Sequence, residues 1–256
     1  HEILKLMPAG SGEPVMSGLL QLSKEFIDQF TTGRLSKPNF SIDFPAKLIT
    51  TQLEWDDLIL PDHTLEQVDE IKTWVQHSHI LMNDWEMNKK LKPGFKSLFY
   101  GPSGTGKTLT ACLLGKYCNM DVYRIDLSMM ISKYIGETEK NLSKVFDMAD
   151  HKNWILFFDE ADALFGKRSN VQSAHDKYAN QEVSYLLQRV EDFAGLIILA
   201  SNYKTNIDSA FVRRFNAIIH FPMPGQQERF ELWNNSKPLQ ATFESETDIW
   251  NIAAKY

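Results

Sequence analysis

Gly101-Pro102-Ser103-Gly104-Thr105-Gly106-Lys107-Thr108 follows the apolar run Ser97–Tyr100 and precedes a helical stretch from Leu109 to Tyr117. The octet fits the pattern G-x-x-x-x-G-K-[ST]. Glycines at these spacings let successive backbone N–H groups turn inward, and the next helix adds its N-terminus, so the segment is suited to a phosphate. Lys107 supplies a point charge for the terminal phosphates, and Thr108 a hydroxyl for Mg²⁺. A nucleotide with Mg²⁺ is the ligand this chemistry implies. Gly101, Pro102, Ser103, Gly104, Thr105, Gly106, Lys107, Thr108 and the adjoining Leu109 are the candidate phosphate contacts.

Outward from this loop, short β-rich runs alternate with helix-length segments: Ser97–Tyr100, Val122–Ile125, Trp154–Phe158, Leu196–Leu199 and Ala217–Phe221. Strands apolar on both sides and separated by helices are the pattern of a buried, mostly parallel sheet. The expected fold is therefore α/β, a three-layer sandwich of the P-loop NTPase type, with chemistry beyond the carboxyl ends of the strands. Unusual residues stand at those ends. Asp159 and Glu160 follow Trp154–Phe158; the first is a candidate Mg²⁺ ligand and the second a candidate to orient or activate the attacking water. Asn202 ends the Leu196–Ala200 run, where its amide can reach that water or the γ-phosphate.

Several further segments resemble the AAA family of AAA+ ATPases, from about Trp55 to Trp233. Ser132–Asn141 (Ser-Lys-Tyr-Ile-Gly-Glu-Thr-Glu-Lys-Asn) resembles the family's first pore loop. Glu160 matches its Walker B glutamate and Asn202 its sensor 1 position. Asp208–Phe215 resembles the arginine-finger region, so the resemblance implies that Arg213 and Arg214 act on a nucleotide held by a neighbouring subunit. It also implies a homo-oligomeric, hexameric ring whose pore residues Lys133, Tyr134 and Ile135 grip a polypeptide substrate or adaptor. Gly166–Asp176 is like a second pore loop. Trp55–Ile59 resembles the stretch that meets the adenine, which implicates Asp57 and Leu58, although the family often has glycine where Ile59 and Leu60 stand. Similar bacterial sequences, sharing the Ser132–Asn141 and Ala174–Glu182 segments, include some encoded with contractile injection systems.

Composition sets limits on the alternatives. The 256 residues carry 27 Lys+Arg against 33 Asp+Glu, a formal charge of −6, which disfavours a general nucleic-acid surface. The longest apolar runs, Trp154–Phe158 and Leu196–Ala200, are too short to span a membrane. Two cysteines, Cys112 and Cys118, cannot build a disulfide framework or a zinc site by themselves, and a cytoplasmic location is the default expectation. No H-E-x-x-H motif supports an attached metalloprotease. A nucleotide-dependent scaffold with little turnover and a nucleic-acid motor or loader are the alternatives to a protein-remodelling ATPase.

Three regions are expected. Residues 1–50 read as an N-terminal extension or linker, with an amphipathic helix capped by Ser17 and carrying Leu19, Leu20, Leu22, Phe26, Ile27 and Phe30. Residues 51–224 form the large ATPase domain. Residues 225–256 begin an α-helical lid that stops short, so its sensor 2 residue is unassigned; with His1 at the start, the chain reads as a fragment.

Overall fold

The computed structural model describes residues 4–6, 20–22, 27, 30–31, 33, 37–38, 40–41, 44–127, 137–150, 152–162, 174–202, 212–238 and 249–255. Chain contacts divide it into two units, His1–Asn39 and Phe40–Tyr256. In the first, β1 (Leu4–Leu6) pairs antiparallel with β2 (Leu20–Leu22), Leu4 opposite Leu22 and Leu6 opposite Leu20. The helix expected from Ser17 onward is thus a strand at Leu20–Leu22. Leu4-Lys5-Leu6 and Leu20-Gln21-Leu22 each alternate apolar with polar, the period of a strand, and backbone pairing between the two segments takes the place of an isolated helical turn. Ile27, Phe30 and Thr31 are helical.

The second unit holds a six-stranded sheet. Its strands are β3 (Ala46–Ile49), β4 (Phe95–Tyr100), β5 (Asp121–Asp126), β6 (Trp154–Asp159), β7 (Leu196–Ser201) and β8 (Ala217–His220). They lie in the order β3-β5-β6-β7-β4-β8. All pairings are parallel except β3 with β5. The strand β3 lies inside the segment expected to be an extension, and the compact unit begins at Phe40.

The α-helices are α1 (Asp62–His79), α2 (Lys107–Cys118), α3 (Glu137–Ala149), α4 (Ala174–Asp192), α5 (Gln226–Asn235) and α6 (Ile249–Lys255), with a π-helical turn after α1 at Ile80–Asp84 and 3-10 turns at Trp55–Asp57 and Met87–Lys89. Two apolar cores cover the two faces of the sheet. Leu98, Ile125, Leu156, Phe158 and Leu199 meet Phe146 of α3 and Leu187 of α4 on one side. Phe99, Val122, Phe157, Ile198 and Ala200 meet Ile71 of α1 and Leu113 of α2 on the other. Alternate residues of each strand therefore serve opposite cores, and the result is the expected three-layer α/β sandwich. Among the described residues, no helix is long and apolar enough to cross a membrane.

Packing at the sheet's end dictates where the phosphate loop begins. Gly101 has φ +152°, and a Cβ there would lie 1.9 Å from the carbonyl oxygen of Phe221. Its N–H donates to Ser201 O at 3.1 Å, which ties the loop to the end of β7. Beyond the sheet, Arg229 of α5 donates to Pro224 O at 2.6 Å and to Ala253 O of α6 at 2.7 Å. Phe230 and Trp250 meet edge to face, with ring centroids 5.3 Å apart. These contacts join the last two helices to each other and to the segment leading from β8.

Candidate functional site

The loop between β4 and α2 is built on left-handed glycines. Gly104 has φ +81° with nothing within 4 Å of an added Cβ, and Gly106 has φ +97° at the N-terminal cap of α2. Side chains would strain both positions, so backbone is presented where β-carbons would stand. Thr105 Oγ1 closes the loop on Pro102 O at 2.9 Å, while Pro102, Ser103, Gly104 and Thr108 are exposed.

Lys107 is the centre of the charge arrangement. Its side chain is buried, and its ammonium donates to Gly101 O at 2.5 Å and Pro102 O at 2.8 Å, with Asn202 Oδ1 at 3.5 Å. Burial pushes its pKa below the usual lysine value; Asp159, Asp162 and Glu160 oppose that shift by stabilising the cation. The ends of three strands, β4, β6 and β7, are thus gathered around one ammonium group.

Asn202 joins the lysine to the acids. Its Oδ1 faces Lys107, and its Nδ2 donates to Glu160 Oε2 at 3.4 Å. That orientation sets the amide oxygen toward the cation and the amide nitrogen toward the carboxylate. Glu160 itself has φ +55°, a left-handed conformation that costs a non-glycine residue about 1–2 kcal/mol. Strain of this kind collects at sites where a side chain must be aimed.

Asp162 is a residue that the sequence reasoning missed. Its Oδ1 accepts from Ser201 Oγ at 2.5 Å, and its Oδ2 accepts from the backbone N–H of Asn202 at 2.9 Å. One carboxylate therefore fastens the turn after β6 to the end of β7, while Ala161 N donates to Ala200 O at 2.9 Å beside it. The signal was available, since Asp162 is the third acid of Asp159-Glu160-Ala161-Asp162. Its partner lies 40 residues away, which local spacing does not show.

Asp159 is mostly enclosed by its neighbours. Its Oδ2 pairs with Arg124 Nη2 at 2.8 Å, and its Oδ1 accepts from Glu160 N at 3.0 Å. Hydroxyl and carboxylate oxygens, from Thr108 and Asp159, are donors of the hard type that suits Mg²⁺. Among the described residues no cluster of three or more His, Cys, Asp or Glu makes a metal cage. Mg²⁺ takes one or two protein ligands and completes its shell with phosphates and water, so this donor set fits it.

The segment expected to meet the base is fixed against α1 and α2. Asp57 Oδ2 accepts from Glu54 N at 2.8 Å, so that carboxylate serves the local turn. Lys72 Nζ stands 3.5 Å above the Trp55 ring, and Trp55 meets Tyr117 edge to face. Leu58 and Leu60 are buried, and Leu58 Cδ1 would lie 3.4 Å from a Cβ on Gly106. From the other side, Asn235 of α5 donates to Asp56 O at 3.4 Å.

The two arginines differ. Both are exposed, but Arg214 Nε lies 2.5 Å from Glu191 Oε1 near the end of α4. Lys133, Tyr134 and Ile135 lie outside the described residues, as do residues 163–173 and 203–211.

Residues 97–223 match the family described as "ATPase family associated with various cellular activities (AAA)". The chain carries an AAA-family ATPase domain. Over 136 residues it is 36% identical to an uncharacterized AAA family ATPase, y4kL, of Sinorhizobium fredii, covering 52% of this chain and 41% of that protein. It is 33% identical over 149 residues to the 26S proteasome regulatory subunit S10B homolog B of Arabidopsis thaliana, covering 56% and 37%. Spastin of Naegleria gruberi is 32% identical over 161 residues, covering 60% and 31%. The chain spans about two fifths or less of the length of these relatives. The crystal structure of the FIGL-1 AAA domain in complex with ADP has the same fold, with a TM-score of 0.58 at 22% identity over 74% of this chain and 62% of that one.

Proposed function

We propose that this protein binds Mg²⁺·ATP between the Gly101–Thr108 loop and the ends of β6 and β7, hydrolyses it, and uses the turnover to remodel or thread a polypeptide. The observation that carries the reading is Asn202, whose amide faces Lys107 with its oxygen and Glu160 with its nitrogen. A phosphate-binding cation and a candidate base are thereby joined through one side chain, which sets the base beside the loop assigned to the phosphates. Lys107 and the loop amides hold the phosphates, Thr108 and Asp159 hold Mg²⁺, and Glu160 orients the water. Mg²⁺ supplies charge neutralisation at the transferring phosphoryl group.

The assembled form is a homo-oligomeric ring in which Arg213 and Arg214 act across the subunit interface. In that ring Lys133, Tyr134 and Ile135 touch the polypeptide. Names of relatives support this part: one is a proteasome regulatory subunit and another is spastin. Asp57 and Leu58 are assigned to the base, and α5 with α6 to the start of a lid. The reading places the protein in the cytoplasm, among bacterial ATPases of the kind encoded with contractile injection systems, on the resemblance of Ser132–Asn141 and Ala174–Glu182.

Glu160→Gln tests the reading. ATP affinity within about threefold of the parent, with hydrolysis lowered by at least two orders of magnitude, is the expected result for a lost base. Hydrolysis at the parent rate would remove Glu160 from its role.

A further inference from the structure

Arg124 belongs to β5, two residues before Asp126, and Asp126 is the register partner of Asp159 on β6. Strand alternation sets Arg124, Asp126 and Asp159 on one face of the sheet, together with Val122 and Phe157, which pack toward α2. A guanidinium therefore continues an apolar row and ends beside the carboxylate assigned to Mg²⁺.

The pairing is tight but incomplete. Arg124 Nη2 reaches Asp159 Oδ2 at 2.8 Å, with side-chain exposures of 41% and 17%. The other oxygen, Oδ1, accepts from Glu160 N at 3.0 Å. Both oxygens of Asp159 thus have partners within the protein. Arg124 Nε, however, is buried with no hydrogen-bond partner. The side-on two-pronged contact, which would pair Nε and Nη2 with the two carboxylate oxygens, is therefore not made. An orphaned buried donor also lowers the net worth of the contact that is made.

We infer that Arg124 is a positioning residue that holds Asp159 and competes with Mg²⁺ for it, so that it sets the Mg²⁺ concentration the nucleotide site requires. The inference rests on the proposed Mg²⁺·ATP site. A unit positive charge in contact with a metal ligand lowers the negative potential that the cation meets. Removing it strengthens attraction for Mg²⁺ and does nothing to strengthen attraction for the ATP anion itself. A mere loosening of the site would weaken both, and this difference separates positioning from structural support.

The test uses the full chain, ATP as the probe, and binding as the readout. Affinity for ATP is measured in EDTA and then across a MgCl₂ titration, for the parent, Arg124→Gln and Arg124→Lys. In Arg124→Gln, the Mg²⁺ concentration giving half of the affinity gain falls roughly two- to fivefold, in line with a part-exposed ion pair, and affinity in EDTA does not rise. Arg124→Lys, which keeps the charge, stays near the parent. A folded Arg124→Gln protein, with a cooperative melt like the parent's, that needs as much Mg²⁺ or more overturns the inference and leaves the ATP site standing. A parent that binds ATP no tighter in Mg²⁺ than in EDTA overturns the Mg²⁺ assignment and the inference with it.

Discussion

Arg214 Nε lies 2.5 Å from Glu191 Oε1, and Lys92 Nζ approaches the other oxygen of the same carboxylate at 3.5 Å. The neighbouring Arg213 is exposed. Two adjacent arginines with the same proposed duty across a subunit interface therefore start from different surroundings. Arg213→Ala is expected to lower ATP hydrolysis by about 10³-fold, the scale of a lost arginine finger, with the melting temperature unchanged. Arg214→Ala is expected to lower hydrolysis as well, but also to cost about 0.5 kcal/mol of stability, the usual worth of a part-exposed pair. Turnover and urea denaturation on the two variants check the distinction. Equal stability in both would show that the Glu191 contact contributes nothing to the fold.

Asp162 carries a second expectation. It holds both Ser201 and the backbone of Asn202, so Asp162→Ala leaves two donors without their acceptor. Hydrogen bonds to a charged group are worth about 1.5–3 kcal/mol each, and a stability loss of about 3 kcal/mol or more is expected. Asn202 would then lose the anchor that aims its amide at Glu160. The expected kinetic result is a fall in kcat of about tenfold or more, with KM for ATP within about threefold, because the phosphate loop is untouched. A raised KM with unchanged kcat would contradict this assignment.

These two relationships mark where sequence legibility ended. The phosphate loop could be read because its glycines and the apolar run before it are contiguous, and the acids could be read because they end a buried strand. Asp162–Asn202, Arg124–Asp159 and Glu191–Arg214 are contacts between segments distant in the chain, and no local period encodes them. The edge strand Ala46–Ile49 was hidden for another reason. Four residues after Pro45 give too short a pattern to separate a strand from an extended linker, and antiparallel pairing with Val122–Ile125 decides it. At Leu20–Leu22 the helical spacing of leucines and phenylalanines was real in the sequence. A two-residue alternation within it, matched by Leu4–Leu6, prevailed through cross-strand pairing.

Lys96 gives the pH dependence. Its side chain is buried in β4, with Nζ donating to Pro93 O at 2.7 Å, and burial first, then Lys92, lowers its pKa to about 8. Between that value and the ordinary lysine value near 10.5, the unfolded chain keeps a proton that the folded chain has shed. Stability therefore rises with pH across this window and is reduced below it. From pH 7.5 to 9.5 the parent is expected to gain about 2 kcal/mol relative to Lys96→Met, which has no group to titrate there. Urea denaturation of both proteins at the two pH values measures the difference. A gap that stays constant would mean that Lys96 keeps its proton through the window.

Gly101 and Gly104 separate backbone conformation from steric contact within one loop. Both have positive φ, +152° and +81°. At Gly101 a Cβ would stand 1.9 Å from Phe221 O, inside any tolerable contact, and the clash is with backbone that β8 and β4 hold in place. Gly101→Ala must therefore shift either the start of the loop or the end of the sheet, and a loss of more than about 3 kcal/mol, or failure to fold, is expected. At Gly104 nothing lies within 4 Å, so Gly104→Ala meets only the left-handed penalty of about 1–2 kcal/mol and should fold. Its methyl group would stand on the exposed part of the loop where the phosphates are proposed to sit. The expected outcome is a folded protein with ATP affinity weakened about tenfold or more, measured by ATP titration beside a thermal melt. A Gly104→Ala protein that binds ATP like the parent would move the phosphates away from this part of the loop.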